Sequence, residues 1–175
     1  AHASIPVINA LTDDDHPTQL LADWLTIREN FGKDIAGRKF VYLGDGNNMS
    51  HAWLIMGAIM GAHVVAATPS GKWAPNAKVV EIAKNIAAKS GGKVEVVHDP
   101  EAASKDASVL YTDVWMSMGD SESERDEKVL ALSPFAVTEN LFSLTNKDSI
   151  FMHCLPAHRG EEVEASVIDG PRSVI

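Results

Sequence analysis

Apolar and polar positions along this chain change rhythm at regular intervals. Short runs rich in Val, Ile and Tyr, of the kind that form buried strands, read "KFVYLGD", "HVVAATP", "KVEVVHD", "ASVLYTDVW" and "DSIFMHC". Longer segments of helical character separate the first three. "NMSHAWLIMGAIMGA" carries apolar residues on most sides, and "NAKVVEIAKNIAAKSGG" closes on a Gly pair suited to a helix C-terminus. A short helix is expected around "PEAASKD", and the acidic stretch "GDSESERDEK" reads as a polar loop running into a helix. The helix bearing Met49, Met56 and Met60 is expected in the core. Strands separated by helices imply parallel pairing through right-handed crossovers. The predicted fold is therefore a doubly wound α/β domain, with a mostly parallel five-stranded sheet and helices on both faces, Rossmann-like in plan.

Two flanking segments extend this plan. In "HPTQLLADWLTIRENF", Leu20, Leu21, Trp24, Leu25 and Ile27 predict an amphipathic helix starting just after Pro17, a suitable first-turn residue. The last residues, "IDGPRSVI", read as another short strand. A fold that closes on an unfinished strand, in a sequence without an initiator Met, is read as a piece that starts mid-protein.

Composition narrows the class. The 175 residues suffice for one well-cored domain, and 45% hydrophobic with 22% charged residues is ordinary for a soluble globular fold. A formal charge of −9 argues against a general nucleic-acid binder, while leaving room for a local anion pocket. The single cysteine excludes an internal disulfide, so a cytoplasmic, reducing setting is expected. No apolar run approaches the roughly 18–20 residues needed to span a bilayer, and "AHASIPVINA" is too polar for a signal peptide.

In open α/β sheets ligands gather at the carboxyl ends of the strands, which makes "GDGNNMSH", "TPSG", "DVWMSMG" and "HCLPAHRG" the places to read for chemistry. The first approaches a dinucleotide fingerprint, but the third Gly is replaced by Met49, and Thr68 stands where a ribose-binding acid is expected. The bland reading is a tight turn with an Asn cap. The helix start remains a carboxylate binder through its free N–H groups, with Asn47 and Asn48 as added amide donors. Asp113 either holds an ammonium group or caps a loop, and Ser117 and Met118 follow it beside Gly119, which allows close backbone approach. Cys154 is either core filler or part of a site, and the neighbouring His153 and Arg159 favour a thiolate. Zinc is not expected, since one Cys and scattered His residues lack ligand spacing.

Taken together, "HPTQ", "DGNNMSH", "DVWMSMG" and "HCLPAHRGEEV" resemble, in order and spacing, the motifs of ornithine carbamoyltransferases, within the aspartate/ornithine carbamoyltransferase family. The resemblance covers nearly the whole chain, with Ala10 where that family usually has Gly. It implies residues 1–15 as the tail of a carbamoyl-phosphate domain, 16–32 as an interdomain helix, and 33–175 as the ornithine-binding α/β domain. The family's N-terminal phosphate-binding Ser-x-Arg-Thr-Arg motif and its C-terminal helix lie outside this sequence, so the piece alone is expected to be inactive. The implied reaction is attack of the ornithine δ-amine on carbamoyl phosphate, giving citrulline and phosphate, with no metal or organic cofactor.

The roles implied follow the motifs. Asn48 and the Met118 backbone would hold the ornithine carboxylate, and Asp113 with Ser117 the α-amino group. Cys154, with Asp113, would orient the δ-amine, and the Leu155 backbone would accept from the carbamoyl amide. His16 would polarise the carbamoyl oxygen and Gln19 would bind the carbamoyl amide. Arg159 is expected to order the loop or neutralise Glu161 and Glu162. The implied partners are L-ornithine, carbamoyl phosphate, the other domain, and further copies in a trimer or a multiple of one. Three rivals stand beside this reading: a nucleotide-dependent oxidoreductase, a non-catalytic amino-acid-binding module, and a carbamoyltransferase for a related amine such as putrescine.

Overall fold

A computed structural model of the chain describes residues 3–33, 35–116 and 121–175. The helix predicted from "HPTQ" onward forms as α1 (Pro17–Phe31), with Pro17 in its first turn where a missing N–H costs nothing. Its inward face is Leu20, Asp23, Trp24 and Ile27. Leu21 and Leu25, expected to be buried with them, are instead 61% and 59% exposed. The five apolar residues occupy two adjoining stripes of the helix, and this chain covers only one of them.

The next elements alternate as the pattern requires: β1 (Lys39–Leu43), α2 (Asn48–Ile59), β2 (His63–Ala67), α3 (Ala77–Ser90), β3 (Lys93–Val97), α4 (Pro100–Ser104) and β4 (Val109–Thr112). They are followed by α5 (Arg125–Leu132), α6 (Glu139–Ser143), β5 (Ile150–His153) and α7 (Ala165–Ile168). The Gly pair after α3 acts as foreseen, with Gly91 left-handed at φ 83° and its N–H returned to Ala87. The strand order is β3-β2-β1-β4-β5, and every pairing is parallel. The predicted doubly wound sheet is therefore present. The expected last strand is not: Ser173 makes a single bridge to Phe151, and the backbone bonds at Phe151 and Val174 do not extend into a ladder.

Strand residues point alternately to opposite faces, and the core divides accordingly. Phe40, Tyr42, Val64, Ala66, Val109, Tyr111, Ile150 and Met152 pack under α1, α2 and α3. Val41, Leu43, Val65, Ala67, Leu110 and Phe151 pack under α4, α6 and α7. On the first face, Trp24, Trp53, Phe40, Tyr42 and Tyr111 form a continuous aromatic cluster with ring centroids 4.8–6.2 Å apart. Met49 is buried with this cluster, whereas Met56 and Met60 are only half-buried at its margin. Among the described residues no helix is long and apolar enough to cross a membrane.

Candidate active site

The strand order reverses between β1 and β4, the place where open α/β sheets leave a crevice. Two side chains meet across that reversal. Asn47 caps α2, its Oδ1 accepting from the N–H groups of Met49 and Ser50 at 3.0 and 3.2 Å. Tyr42 donates its hydroxyl to the same oxygen at 3.2 Å. With Oδ1 fixed in this way, the Nδ2 amide is aimed at Asp113 and donates to its Oδ2 at 3.0 Å. Asp113 sits one residue past β4, is 8% exposed, and receives the Val114 N–H on Oδ1 at 2.7 Å.

Cys154, one residue past β5, brings the third strand end to the same carboxylate. Its thiol donates to Asp113 Oδ1 at 3.0 Å. Burial, the Asp113 charge and the hydrogen bond to Asp113 all raise the thiol pKa far above its ordinary value. The thiolate expected from the neighbouring His153 and Arg159 is therefore disfavoured, for two geometric reasons. Alternation along β5 turns His153 to the opposite face of the sheet, where Nε2 lies 3.3 Å from Glu162. Arg159 is occupied by Asp169, which it grips with two bonds of 2.8 and 2.6 Å. Nor does Arg159 neutralise Glu161, whose partner is Arg125 at 2.7 Å.

The residues of "HPTQ" are tied to this end of the sheet from below. Gln19 donates to Asp23 Oδ1 at 3.0 Å, and Tyr111 donates to Asp23 Oδ2 at 2.8 Å. Tyr111 lies in β4, two positions ahead of Asp113. Asp23 is 5% exposed, and its carboxyl is raised above the usual range by burial, against the lowering pull of its two donors. His16 Nδ1 lies 2.8 Å from the Ala10 carbonyl, so that nitrogen carries the proton. Asn48, the residue singled out for a substrate carboxylate, donates instead to the Thr12 carbonyl at 3.0 Å. His51 joins the same N-terminal segment to the start of α3: Nδ1 donates to the Asp14 carbonyl at 3.0 Å, and Nε2 accepts from the Asn76 N–H at 3.0 Å.

Asp113 and Cys154 are thus in direct contact, Gln19 reaches Asp23, and His16 and Asn48 are held by the segment preceding α1. Ser117 and Met118 lie outside the described residues. Leu155 follows Cys154 in an exposed turn, with φ 59°. Sequence reasoning passed over Asp23 and the hydroxyls of Tyr42 and Tyr111. The spacing of Gln19 and Asp23, one helical turn apart, was the available signal.

The dinucleotide alternative meets a physical obstacle. A Cβ at Gly46 would lie 2.2 Å from the Ala74 carbonyl carbon and 2.3 Å from the Pro75 nitrogen, so this glycine serves close chain packing. The space a pyrophosphate would approach is filled by the segment that follows β2. Among the described residues, His158, Glu161 and Glu162 bring candidate ligand atoms within 4.8 Å of one another, but Glu161 is already engaged by Arg125.

Comparison with known proteins decides the family. The sequence profile of the aspartate/ornithine carbamoyltransferase Asp/Orn binding domain matches residues 36–175, and that of the carbamoyl-P binding domain matches residues 1–29. The chain belongs to the aspartate/ornithine carbamoyltransferase family. It is 53% identical over 174 residues to the ornithine carbamoyltransferase of Thermococcus kodakarensis, covering 99% of this chain and 54% of that protein. A protein of Thermoplasma volcanium named as a catabolic ornithine carbamoyltransferase is 49% identical over 172 residues, covering 98% of this chain and 55% of that one. The solved ornithine carbamoyltransferase of Pyrococcus furiosus superposes with a TM-score of 0.92 at 52% identity, over 99% of this chain and 55% of that chain. The chain thus spans about half the length of the family members it matches.

Proposed function

We propose that the complete protein is an ornithine carbamoyltransferase, converting carbamoyl phosphate and L-ornithine to L-citrulline and phosphate, and that this chain supplies its ornithine-binding part. One observation carries the reading: Asp113 gathers Asn47 and Cys154 from two neighbouring strand ends at the point where the sheet order reverses. In this reading residues 1–15 are the tail of the carbamoyl-phosphate domain, 16–32 the interdomain helix, and 33–175 the ornithine domain. The protein works as a trimer or a multiple of one in the cytoplasm, and the chain by itself is inactive.

The chemistry accounts for the residue types. An alkylamine resembling that of Lys has a pKa of roughly 10.4, so the site must select or generate the neutral δ-amine. Asp113 and Ser117 receive the α-ammonium group, and Asn48, on exchanging the Thr12 carbonyl for substrate, receives the carboxylate with the Met118 backbone. Cys154 stays a neutral thiol, able to donate one hydrogen bond and accept one, and so orients the δ-nitrogen lone pair. That nitrogen attacks the carbamoyl carbon: the C–N bond forms, the carbonyl electrons move to oxygen, and on collapse the C–O bond to phosphate breaks. Phosphate leaves with the bonding pair and takes up the proton shed by nitrogen. The Leu155 carbonyl and Gln19 hold the carbamoyl amide. Because His16 Nδ1 already donates to Ala10, Nε2 donates to the carbamoyl oxygen only when the ring carries a second proton. Alignment of the two reactants supplies roughly 7–11 kcal/mol of the barrier in favourable cases.

The decisive experiment measures citrulline formation by the intact gene product with both substrates, then by this chain. Activity of the first and silence of the second are expected. An intact protein that carbamoylates putrescine in preference to ornithine would overturn the acceptor assignment.

A further inference from the structure

The turn that carries Cys154 and Leu155 is exposed, yet its conformation is a demanding one. Leu155 is 52% exposed and adopts φ 59°, in the left-handed region. Such a conformation is unfavourable for a side-chain-bearing residue and persists where the surroundings over-determine it. The surroundings here lie underneath. The Leu155 N–H donates to His153 Nδ1 at 2.8 Å, and the His158 N–H donates to Glu162 Oε1 at 2.5 Å. Both acceptor side chains are 0% exposed, and His153 Nε2 faces the same Glu162 oxygen at 3.3 Å. Glu162 is anchored in turn, its carbonyl accepting from the Val137 N–H at 2.9 Å.

We infer that His153 and Glu162 are positioning residues, a buried imidazole–carboxylate clamp that takes the backbone N–H at each end of the Leu155–His158 turn and so fixes where Cys154 and the Leu155 carbonyl point. The pair does not exchange a proton with the thiol. His153 projects from the face of β5 opposite Cys154, and its Nδ1 is spent on the Leu155 N–H. The clamp's kinetic consequence rests on the carbamoyltransferase reading given above; its structural consequence does not.

Two pairs of substitutions in the complete enzyme separate a clamp from a relay. His153→Asn and Glu162→Gln keep an acceptor for each of the two turn amides, the Asn oxygen standing in for Nδ1, while His153→Leu and Glu162→Met remove it at similar volume. The clamp predicts that the Asn and Gln variants stay within about fivefold of wild-type citrulline formation, and that the Leu and Met variants lose about 10²-fold in kcat with KM for carbamoyl phosphate nearly unchanged. Glu162→Gln as inactive as Glu162→Met would establish a charge relay and overturn the clamp, as would near-wild-type rates in all four.

A second readout needs no turnover. Iodoacetamide labelling of the Cys154 peptide, followed by mass spectrometry, is expected to quicken about tenfold in the Leu and Met variants and to match wild type in the Asn and Gln variants. If the wild-type protein forms no citrulline, the functional reading falls and the labelling order alone decides the clamp. If a Leu or Met variant does not fold, the Asn and Gln variants decide it: wild-type labelling supports the clamp, and accelerated labelling overturns it.

Discussion

The two faces of the sheet solve the same packing problem with different chemistry. Under α4, α6 and α7 the strands present Val, Leu, Ala and Phe, and the buried polar pair on that side, His153 and Glu162, looks toward backbone. Under α1, α2 and α3 the core includes Tyr42 and Tyr111, whose rings are fully buried and whose hydroxyls end on Asn47 and Asp23. One face mainly contributes stability. The other ties core aromatics to Asn47 after β1 and to Asp23 on α1, because a tyrosine is a rigid hydrophobic body with a directional tip. The lesson is that the candidate site is rooted in the core on one side of the sheet, and braced from the other.

Substitutions that test this contrast can be ranked. Asp113→Asn in the complete enzyme should lower citrulline formation by about 10²-fold or more, since it removes the charge on which three donors converge; an unchanged rate would remove Asp113 from the mechanism. The raised thiol pKa of Cys154 predicts that its alkylation rate climbs about tenfold per pH unit above neutrality without levelling near the ordinary thiol pKa of about 8.5. A plateau near that value in the rate–pH curve would show an ordinary thiol. Cys154→Ala should slow turnover about tenfold while the melting temperature moves by only a few degrees; a large fall in melting temperature would mark the side chain as packing.

The faces themselves are compared by Tyr111→Phe and Phe151→Leu. The first leaves Asp23 short of a donor and should raise KM for carbamoyl phosphate several-fold, with a stability loss of about 1–2 kcal/mol. The second should cost about 1 kcal/mol of stability and leave both KM values unchanged. Equal kinetic effects would erase the contrast. The smallest effect concerns Asp23. Its folded-state pKa is raised, so the stability it contributes is complete below the unfolded carboxyl value and is lost as pH rises through the raised one. Asp23→Asn should therefore gain on wild type in urea titrations as pH rises above the ordinary carboxyl value of about 4.

Most of the architecture was legible in the sequence because alternation of apolar runs and helical segments is a local property. All five strands and their parallel pairing follow from it. The final strand was over-read: Ser173 pairs with Phe151, but "GPRSVI" bends at Gly170 and forms a single bridge. The site was legible through its residue types, and less so through its contacts. Both Asn47 and Asn48 accept from the Met49 N–H, and only the Asn47 amide reaches Asp113 while that of Asn48 donates to Thr12, a matter of geometry across 66 positions of sequence. Asp23 went unread because its buried partner, Tyr111, lies 88 positions away. Cys154 illustrates the same limit: adjacency to His153 suggested activation, and strand alternation placed the two on opposite sides.

His51 gives the fold a reporter that can be followed without substrate. Its ring lies between the carbonyl of Asp14 and the amide of Asn76, so release of the residues leading into α1 removes one of the two bonds that hold the ring over the N-cap of α3. Deuterium uptake at the Asn76 amide is therefore expected to quicken when a segment 62 positions earlier in the chain detaches and the ring loosens, and a ligand that slows that exchange has tightened the seam between the two.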